Sequence, residues 1–367
     1  MDLSGFRDPE IARGLIDAIN SAEPGREIKL MEVCGTHTVS IAKNGLRGVM
    51  PEWLTLLSGP GCPVCVTANH DIDTAIAIAQ RPDVTLTTFG DMMKVPGSYS
   101  SLTREKAEGR DVRIVYSPLD ALALAAKEPE RQVVFVAVGF ETTVPLIAAA
   151  ILRAQEAGLT NFSVFSSHKT VPAALGALVN DPDVKVDAFI LPGHVSTIIG
   201  LEPYRFLAEE YHVPGVIAGF EPIDILQAIW MLVQQLMEGR AEIEIGYRRG
   251  VEPQGNVTAQ HMVEQVFQPC DADWRGIGVI PGTGLELREE YAAFDATKRF
   301  GTIDVPEPKE IKGCQCGDVL RGIVLPFECK LFARACTPEH PVGPCMVSSE
   351  GSCAAYYRYT DYGKPDA

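Results

Sequence analysis

Val133-Val134-Phe135-Val136-Ala137-Val138, followed at once by Gly139-Phe140-Glu141 and a helix opened at Pro145, is the stretch whose reading decides the fold. The run is too short for an ordinary buried helix and too continuously apolar for a strand with one wet face. It predicts a strand of a parallel sheet covered on both sides. Working outward, the same texture recurs at Val84 to Phe89, Val112 to Tyr116, Phe162 to Phe165, Ala188 to Leu191 and Gly215 to Ala218. Helical stretches with recognisable starts lie between these runs. Asn69 precedes Asp71-Ile72-Asp73, Pro118 precedes Leu119-Asp120-Ala121, and Pro222 opens a stretch that reaches Met237 before Gly239. Proline in the first turn and glycine past the end are normal helix punctuation. Strand–helix alternation sustained over about 200 residues implies an α/β fold.

Val136-Ala137-Val138-Gly139-Phe140-Glu141 has an echo, 80 residues later, in Val216-Ile217-Ala218-Gly219-Phe220-Glu221. The echo suggests two similar α/β halves, although any strand–glycine–helix turn has some of this likeness. The expected division is residues 27–130 for the first half and 131–240 for the second. Past Arg240 the periodicity fades, Gly, Pro and Gln become frequent, and cysteines crowd the end. Residues 241–367 read as a loop-rich third domain, with 1–26 supplying a docking helix from Pro9 to Asn20.

The 367 residues carry Lys+Arg 32 against Asp+Glu 48, a net charge of −16. That balance disfavours nucleic acid phosphates and anionic membrane surfaces and favours small molecules or protein partners. Met1 to Asp8 shows no basic start and no apolar core of a leader, and no apolar run reaches the roughly 18 residues of a spanning helix. A cytoplasmic chain is expected, and its ten cysteines are then kept for metals or redox work rather than structural disulfides.

Six of them, Cys314, Cys316, Cys329, Cys336, Cys345 and Cys353, fall within the last stretch of chain. Four thiolates suit a [4Fe–4S] cluster, because soft sulfur matches sulfide-bridged iron. The irregular spacing of Cys329, Cys336, Cys345 and Cys353 fits a wrap-around site better than the paired knuckles of a zinc ribbon, and these four are the expected ligands. Zinc and free thiols remain open alternatives. Cys314-Gln315-Cys316 is a close pair suited to a strained, easily reduced disulfide, or one member is itself a ligand. Near the front, Gly59-Pro60-Gly61-Cys62-Pro63-Val64-Cys65 sits in a Gly/Pro turn just before the helix near Asn69. A helix N-terminus there is expected to lower a thiol pKa and make the Cys62/Cys65 pair redox-active or metal-facing. Cys34-Gly35-Thr36-His37 sets a thiol three residues from an imidazole, a pairing that can hold a single iron or shuttle a proton. Cys270 has no partner pattern.

Cys34-Gly35-Thr36-His37, Gly59-Pro60-Gly61-Cys62-Pro63-Val64-Cys65, Gly139-Phe140-Glu141-Thr142-Thr143, Pro192-Gly193-His194-Val195-Ser196, Gly219-Phe220-Glu221-Pro222-Ile223-Asp224 and the cysteine-rich tail follow one another in this order. Together they resemble the HypD family of NiFe-hydrogenase maturation proteins over nearly the whole chain. One departure is local: Thr38 is followed by Val39-Ser40-Ile41-Ala42, where family members often have a further His, which leaves any iron role to Cys34 and His37. The resemblance implies two Rossmann-like parallel-sheet domains plus an iron–sulfur domain similar to ferredoxin:thioredoxin reductase. It also implies a complex with a HypC-type chaperone, in which an iron bearing CN and CO ligands is shared with Cys34, and a HypE-type partner that delivers cyanide as a thiocyanate. In that reading the chain is a redox-active assembly scaffold rather than a conventional enzyme, with Cys34, His37, Cys62, Cys65, Cys314 and Cys316 carrying the chemistry. Glu141, Thr142 and Thr143 at a helix start, His194 and Ser196 at a strand end, and Glu221 and Asp224 are candidates for holding an anion or a partner's tail; Thr142, Thr143 and Ser196 also suit plain capping. No GxxxxGK[ST] or GxGxxG occurs, so a standard nucleotide site is not expected. The alternatives are a cluster-dependent thiol–disulfide reductase, which leaves Cys34-Gly35-Thr36-His37 unexplained, and a zinc-stapled interaction module.

Overall fold

A computed structural model describes residues 7–309 and 312–361; Met1–Phe6, the start of the stretch read above for a leader, lie outside them, as do the last residues of the tail. The continuous apolar runs all become strands of two fully parallel sheets. The first sheet holds β1 (Ile28–Glu32), β2 (Leu54–Ser58), β7 (Ala188–Pro192), β8 (Gly215–Ala218) and β9 (Ile243–Ile245) in the order β2-β1-β7-β8-β9. The second holds β3 (Val84–Thr88), β4 (Val112–Ile114), β5 (Gln132–Ala137) and β6 (Phe162–Ser166) in the order β4-β3-β5-β6. Within each sheet the chain lays its second strand outside its first and then returns across the first to add the third and fourth. Both are therefore doubly wound, with a point of topological reversal between β1 and β7 in one and between β3 and β5 in the other.

This topology corrects the expected division at residue 130. Residues 28–58 pair with 188–245, not with 84–114, so one α/β unit is inserted between the second and third strands of the other. Strand runs are legible in sequence, but which sheet each joins depends on long-range register. The echo is corrected likewise: Val136–Glu141 follows the third strand of its sheet and Val216–Glu221 the fourth of the other. The topological counterpart of β5 is β7, which runs into Pro192-Gly193-His194.

Alternation within a strand explains why no face is polar. On β5, Val134 and Val136 enter a core shared by both sheets and the tail, whereas Val133, Phe135 and Ala137 enter the core under the helix Val144–Glu156. On β1, Met31 joins the shared core while Ile28 and Leu30 face the helix Pro222–Glu238. The helix Pro9–Asn20, capped by Asp8, docks on Pro222–Glu238 of the first unit, not with the cysteine-rich segment to which it was expected to belong.

The region past Arg240 is less irregular than its sequence suggests. It holds β9, the helix Val257–Val266, and an antiparallel hairpin, β10 (Phe267–Trp274) and β11 (Gly278–Leu287). Val266, Phe267 and Leu287 complete the core of the inserted unit, so the separate cysteine-bearing segment begins only after this hairpin. The alternating half-buried pattern of β10 was masked in sequence by its acidic residues. No helix among the described residues is long and apolar enough to cross a membrane.

Candidate functional site

The C-terminal ends of the two sheets face one cleft of about 560 Å³, and both points of reversal open into it. Cys34, which follows β1, and His194, which follows β7, come from the first sheet; Gly90 and Asp91 follow β3, and Gly139, Thr142 and Thr143 follow β5. Ends of parallel strands at a reversal leave a gap between diverging loops, which is why ligands of such sheets bind there.

Cys34 is the N-cap of the helix Gly35–Lys43 and only 8% exposed. Burial, reinforced by the carboxylates of Glu32 and Glu350, pushes its thiol up to about 12, while the main-chain N–H groups of His37 and Thr36 favour the charged form. Burial thus favours the protonated thiol, while its place at a helix N-terminus favours the charged form. Gly61 packs so closely that a Cβ there would collide with the Cys34 backbone, and the Gly61 carbonyl accepts from the Gly35 N–H at 2.9 Å. The glycine of the second motif thus fixes the thiol of the first.

Glu32, absent from the sequence reading, is fully buried beside this thiol. Its carboxylate accepts from the Cys34 N–H at 3.1 Å and the Thr38 hydroxyl at 2.5 Å, and burial raises its pKa to about 7. Glu350 was missed as well. It accepts from the Thr36 hydroxyl at 2.8 Å and lines the cleft together with Ser348, which itself donates to Asp91 at 3.3 Å. Glu350 acts electrostatically on Cys34, Cys65 and His194. A single Glu between Cys345 and Cys353 carries no motif, and only the fold returns it to Cys34.

His37 is placed differently from expectation. Its Nε2 donates to the Gly219 carbonyl at 2.9 Å, its ring stacks on Phe220, and desolvation lowers its pKa to about 4. The ring is buried, off the cleft wall; its contribution to Cys34 is the main-chain N–H. The exposed imidazole is His194, which also stacks on Phe220, with ring centroids 3.8 Å apart, and its pKa is lowered by partial desolvation.

Cys62 caps the four-residue helix Pro63–Val66 and lines the cleft beside Cys34; Cys65 lies one turn on, fully buried. At Cys65 the expected activation by the helix near Asn69 is not found. Cys65 sits inside its own short helix rather than at that N-terminus, and burial together with Cys62 drives its pKa upward. Its Sγ approaches the Pro344 carbonyl at 3.8 Å, and Cys353 is among the groups acting on it. The pair therefore bridges the cleft and the cysteine-rich tail.

In the tail the structure regroups the six thiols. Cys316 and Cys345 form a disulfide with Cα atoms 6.4 Å apart, so Cys345 leaves the expected ligand set and Cys316 leaves the expected pairing with Cys314. Proximity in sequence misled here: Cys316 opens the helix Cys316–Leu320 and its sulfur pairs with Cys345, 29 residues on. Cys314, Cys329, Cys336 and Cys353 line one mainly apolar cavity, and burial and mutual repulsion raise Cys314 and Cys353. Among the described residues no three His, Cys, Asp or Glu side chains converge closely enough for a single metal ion.

The other candidates divide. Thr142, Thr143 and His194 stand on the cleft wall. Glu141 turns away and accepts from the Val171 N–H at 2.8 Å. Ser196 is buried and donates to the Pro192 carbonyl, a capped turn. Glu221 and Asp224 form the capping box of the helix Pro222–Glu238; Asp224 is held by both terminal nitrogens of Arg249 and Glu221 pairs with Arg7. Cys270 is a half-buried thiol on β10 with its pKa raised to about 11 by burial.

Residues 10–360 match the family model described as HypD, hydrogenase formation hypA family. Among curated relatives, a hydrogenase maturation factor HypD of Rhizobium leguminosarum bv. viciae is 49% identical over 96% of this chain and 94% of its own. One of Rhodobacter capsulatus is 47% identical over 97% of both chains. A putative hydrogenase expression/formation protein of Methanocaldococcus jannaschii is 48% identical over 96% of this chain and 98% of its own. Identity of this order across the full length leaves one assignment: the chain belongs to the HypD family of hydrogenase maturation factors.

Proposed function

We propose that the cleft is where a HypC-type chaperone presents an iron atom and a HypE-type partner's thiocyanate delivers cyanide to it, with this chain as scaffold and reductant. The observation that carries the reading is the placement of Cys34 and Cys62 on one cleft wall, with Cys65 directly behind them against the tail. Cys34 grips the iron as its thiolate, the negative charge balanced by the metal and by the N–H groups of Thr36 and His37. His194, Thr142 and Thr143 line the path of a partner's tail, and His194 holds or yields a proton at the cleft mouth.

Electron balance fits the thiol count. Breaking the S–C bond of a thiocyanate releases cyanide as an iron ligand and regenerates the partner's thiolate, which consumes two electrons. Cys62 and Cys65, on forming a disulfide, supply both electrons and release two protons: one converts the partner's thiolate to its thiol and the other leaves to solvent at the cleft mouth. Exchange with the reduced form of Cys316–Cys345, adjacent through Pro344, restores the pair.

A [4Fe–4S] cluster fits the donor set of Cys314, Cys329, Cys336 and Cys353: four thiols converge on one apolar cavity, where burial and repulsion disfavour thiolates that lack a cationic partner. When bound, it supplies electrons one at a time at the inner end of the thiol series. Anaerobic copurification with the HypC-type chaperone, followed by infrared spectroscopy and iron counting, tests the scaffold. Bands of iron-bound CN and CO that depend on Cys34 support it; the same bands from Cys34→Ala overturn it. Multiple turnover of a disulfide substrate without iron would instead favour a reductase.

A further inference from the structure

The turn that joins β10 to β11 touches both thiol regions, and the assembly reading gives it no task. On one side the Arg275 N–H donates to the Val66 carbonyl at 2.9 Å, one residue past Cys65, and Trp274 makes a β-bridge with Thr67. On the other side Gly276 packs on Gly317, the residue after Cys316. A Cβ on Gly276 would lie 2.3 Å from the Gly317 Cα, so only glycine lets the two backbones approach this far. The turn is thereby locked between the inner thiol pair and the start of the cysteine-rich tail, and it carries Arg275 with it.

Arg275 is half-buried and lines an open cavity of about 460 Å³ together with Cys314. Cys314 also lines the closed thiol cavity, whereas Cys329, Cys336 and Cys353 line only the closed one. Of the four expected ligands, Cys314 is therefore the one that faces outward, and it does so onto the wall that holds Arg275. The guanidinium favours the charged form of Cys314, against the opposing effect of Cys329 and Cys336. The other charges on this wall are the carboxylates of Asp273 and Asp318 and the imidazole of His70, and Asp318 is already held by Arg321 at 2.7 Å.

Four thiolates around a [4Fe–4S] core leave a net negative charge, and an added electron increases it. A fixed cation beside one ligand stabilises the reduced form more than the oxidised form and so raises the reduction potential. Partial burial keeps that effect from being screened away by salt. We propose that Arg275 sets the reduction potential of a [4Fe–4S] cluster held by Cys314, Cys329, Cys336 and Cys353, its positive charge favouring the reduced cluster from beside the outermost ligand. The proposal rests on the cluster assignment made above and deepens it by naming the residue that makes the cluster easier to reduce.

The full chain, purified without oxygen and titrated with dithionite while the reduced cluster is followed by electron paramagnetic resonance, tests it. Arg275→Gln is expected to lower the ratio of reduced to oxidised cluster about ten-fold at any set potential, a midpoint about 59 mV more negative for one electron. Arg275→Lys keeps the charge and is expected to stay within about three-fold of the unaltered chain. Asp273→Asn removes an exposed negative charge from the same wall and should shift the midpoint the opposite way by a smaller amount, which covers the case in which Arg275→Gln does not retain a cluster. An unchanged midpoint in Arg275→Gln with iron and sulfide retained would overturn the proposal. So would an equal fall in Arg275→Lys, which would mark packing rather than charge, or an unmoved Asp273→Asn where Arg275→Gln holds no cluster. An unaltered chain without iron and acid-labile sulfide would instead overturn the cluster assignment itself, and this proposal with it.

Discussion

The two α/β units wind their first four strands in the same order, yet they furnish their reversal points with different chemistry. The first places Cys34 at the end of β1 with buried Glu32 behind it and His194 at the end of β7. The second places Gly90, Asp91 and Gly139 at the matching ends of β3 and β5, with no thiol. Topology alone thus makes a gap; the thiol-bearing side belongs to the unit whose loop is clamped by Gly61 and by the tail residue Glu350. The sharpest way to break this contrast is Cys34→Ala. Loss of all iron-bound CN and CO infrared bands from the copurified complex is expected, with the thermal midpoint of the isolated chain within a few degrees of the original, since one small buried group is removed. Persistence of the bands would place the iron on the other wall.

Next in size is the strut under the first unit. Asp224 is 4% exposed and is held by both terminal nitrogens of Arg249, so Arg249→Ala strands a buried carboxylate. Removing one partner of such a pair costs about 3–5 kcal/mol, read as a fall in the urea midpoint at unchanged slope. The exposed ion pair of Arg104 with Glu108 in the inserted unit is expected to give less than about 1 kcal/mol in the same measurement.

Two glycines sharpen the comparison further. A methyl group on Gly61 would collide with the backbone of Cys34, whereas one on Gly139 would collide with the Thr143 side chain, its hydroxyl first and its Cβ and methyl at 2.9 and 3.0 Å, and with no main chain. Gly61→Ala is expected to cost about 1–3 kcal/mol and to impair iron retention as well, because the Cys34 backbone must move. Gly139→Ala should cost less and spare iron. Equal losses in urea unfolding would mean that the two loops are clamped alike.

The strands of both sheets and several helix starts were legible because an apolar run buried on two faces leaves no other reading, and because proline and glycine mark helix ends. Which strand joins which sheet was not, since β1 and β7 pair across 150 or so residues by a register that no local pattern encodes. Cys34 and Cys62 were found through their motifs and stand together in the cleft. Glu350 and Asp91 have no motif of their own. The tail pairing was misread for a related reason: spacing favoured Cys314 with Cys316, while the helix Cys316–Leu320 and the segment before Pro344 bring Cys316 to Cys345. Local chemistry shows in local sequence, and chemistry assembled by chain return does not.

The smallest effect concerns Glu141 of the inserted unit, one of whose buried carboxyl oxygens meets no hydrogen-bond donor from another residue. Burial raises its pKa from an ordinary 4.5 to about 7. A carboxyl with a raised native value binds its proton more tightly folded than unfolded, so its contribution to stability is complete below the unfolded value of 4.5 and is lost as pH rises through about 7. The shift corresponds to an upper bound of about 3 kcal/mol, and relaxation of the site reduces it to on the order of 1 kcal/mol. Glu32, raised to about 7 by burial in the first unit, adds a slope of the same sign, so the wild-type curve alone does not separate the units. Glu141→Gln keeps an oxygen for the Val171 N–H and does not titrate. The difference in unfolding free energy between this variant and the original should therefore change by about 1 kcal/mol between pH 5 and pH 8, in favour of the variant at the higher pH. A difference that stays flat across that range would mean that Glu141 is ionised throughout and that a cation or water already meets its second oxygen.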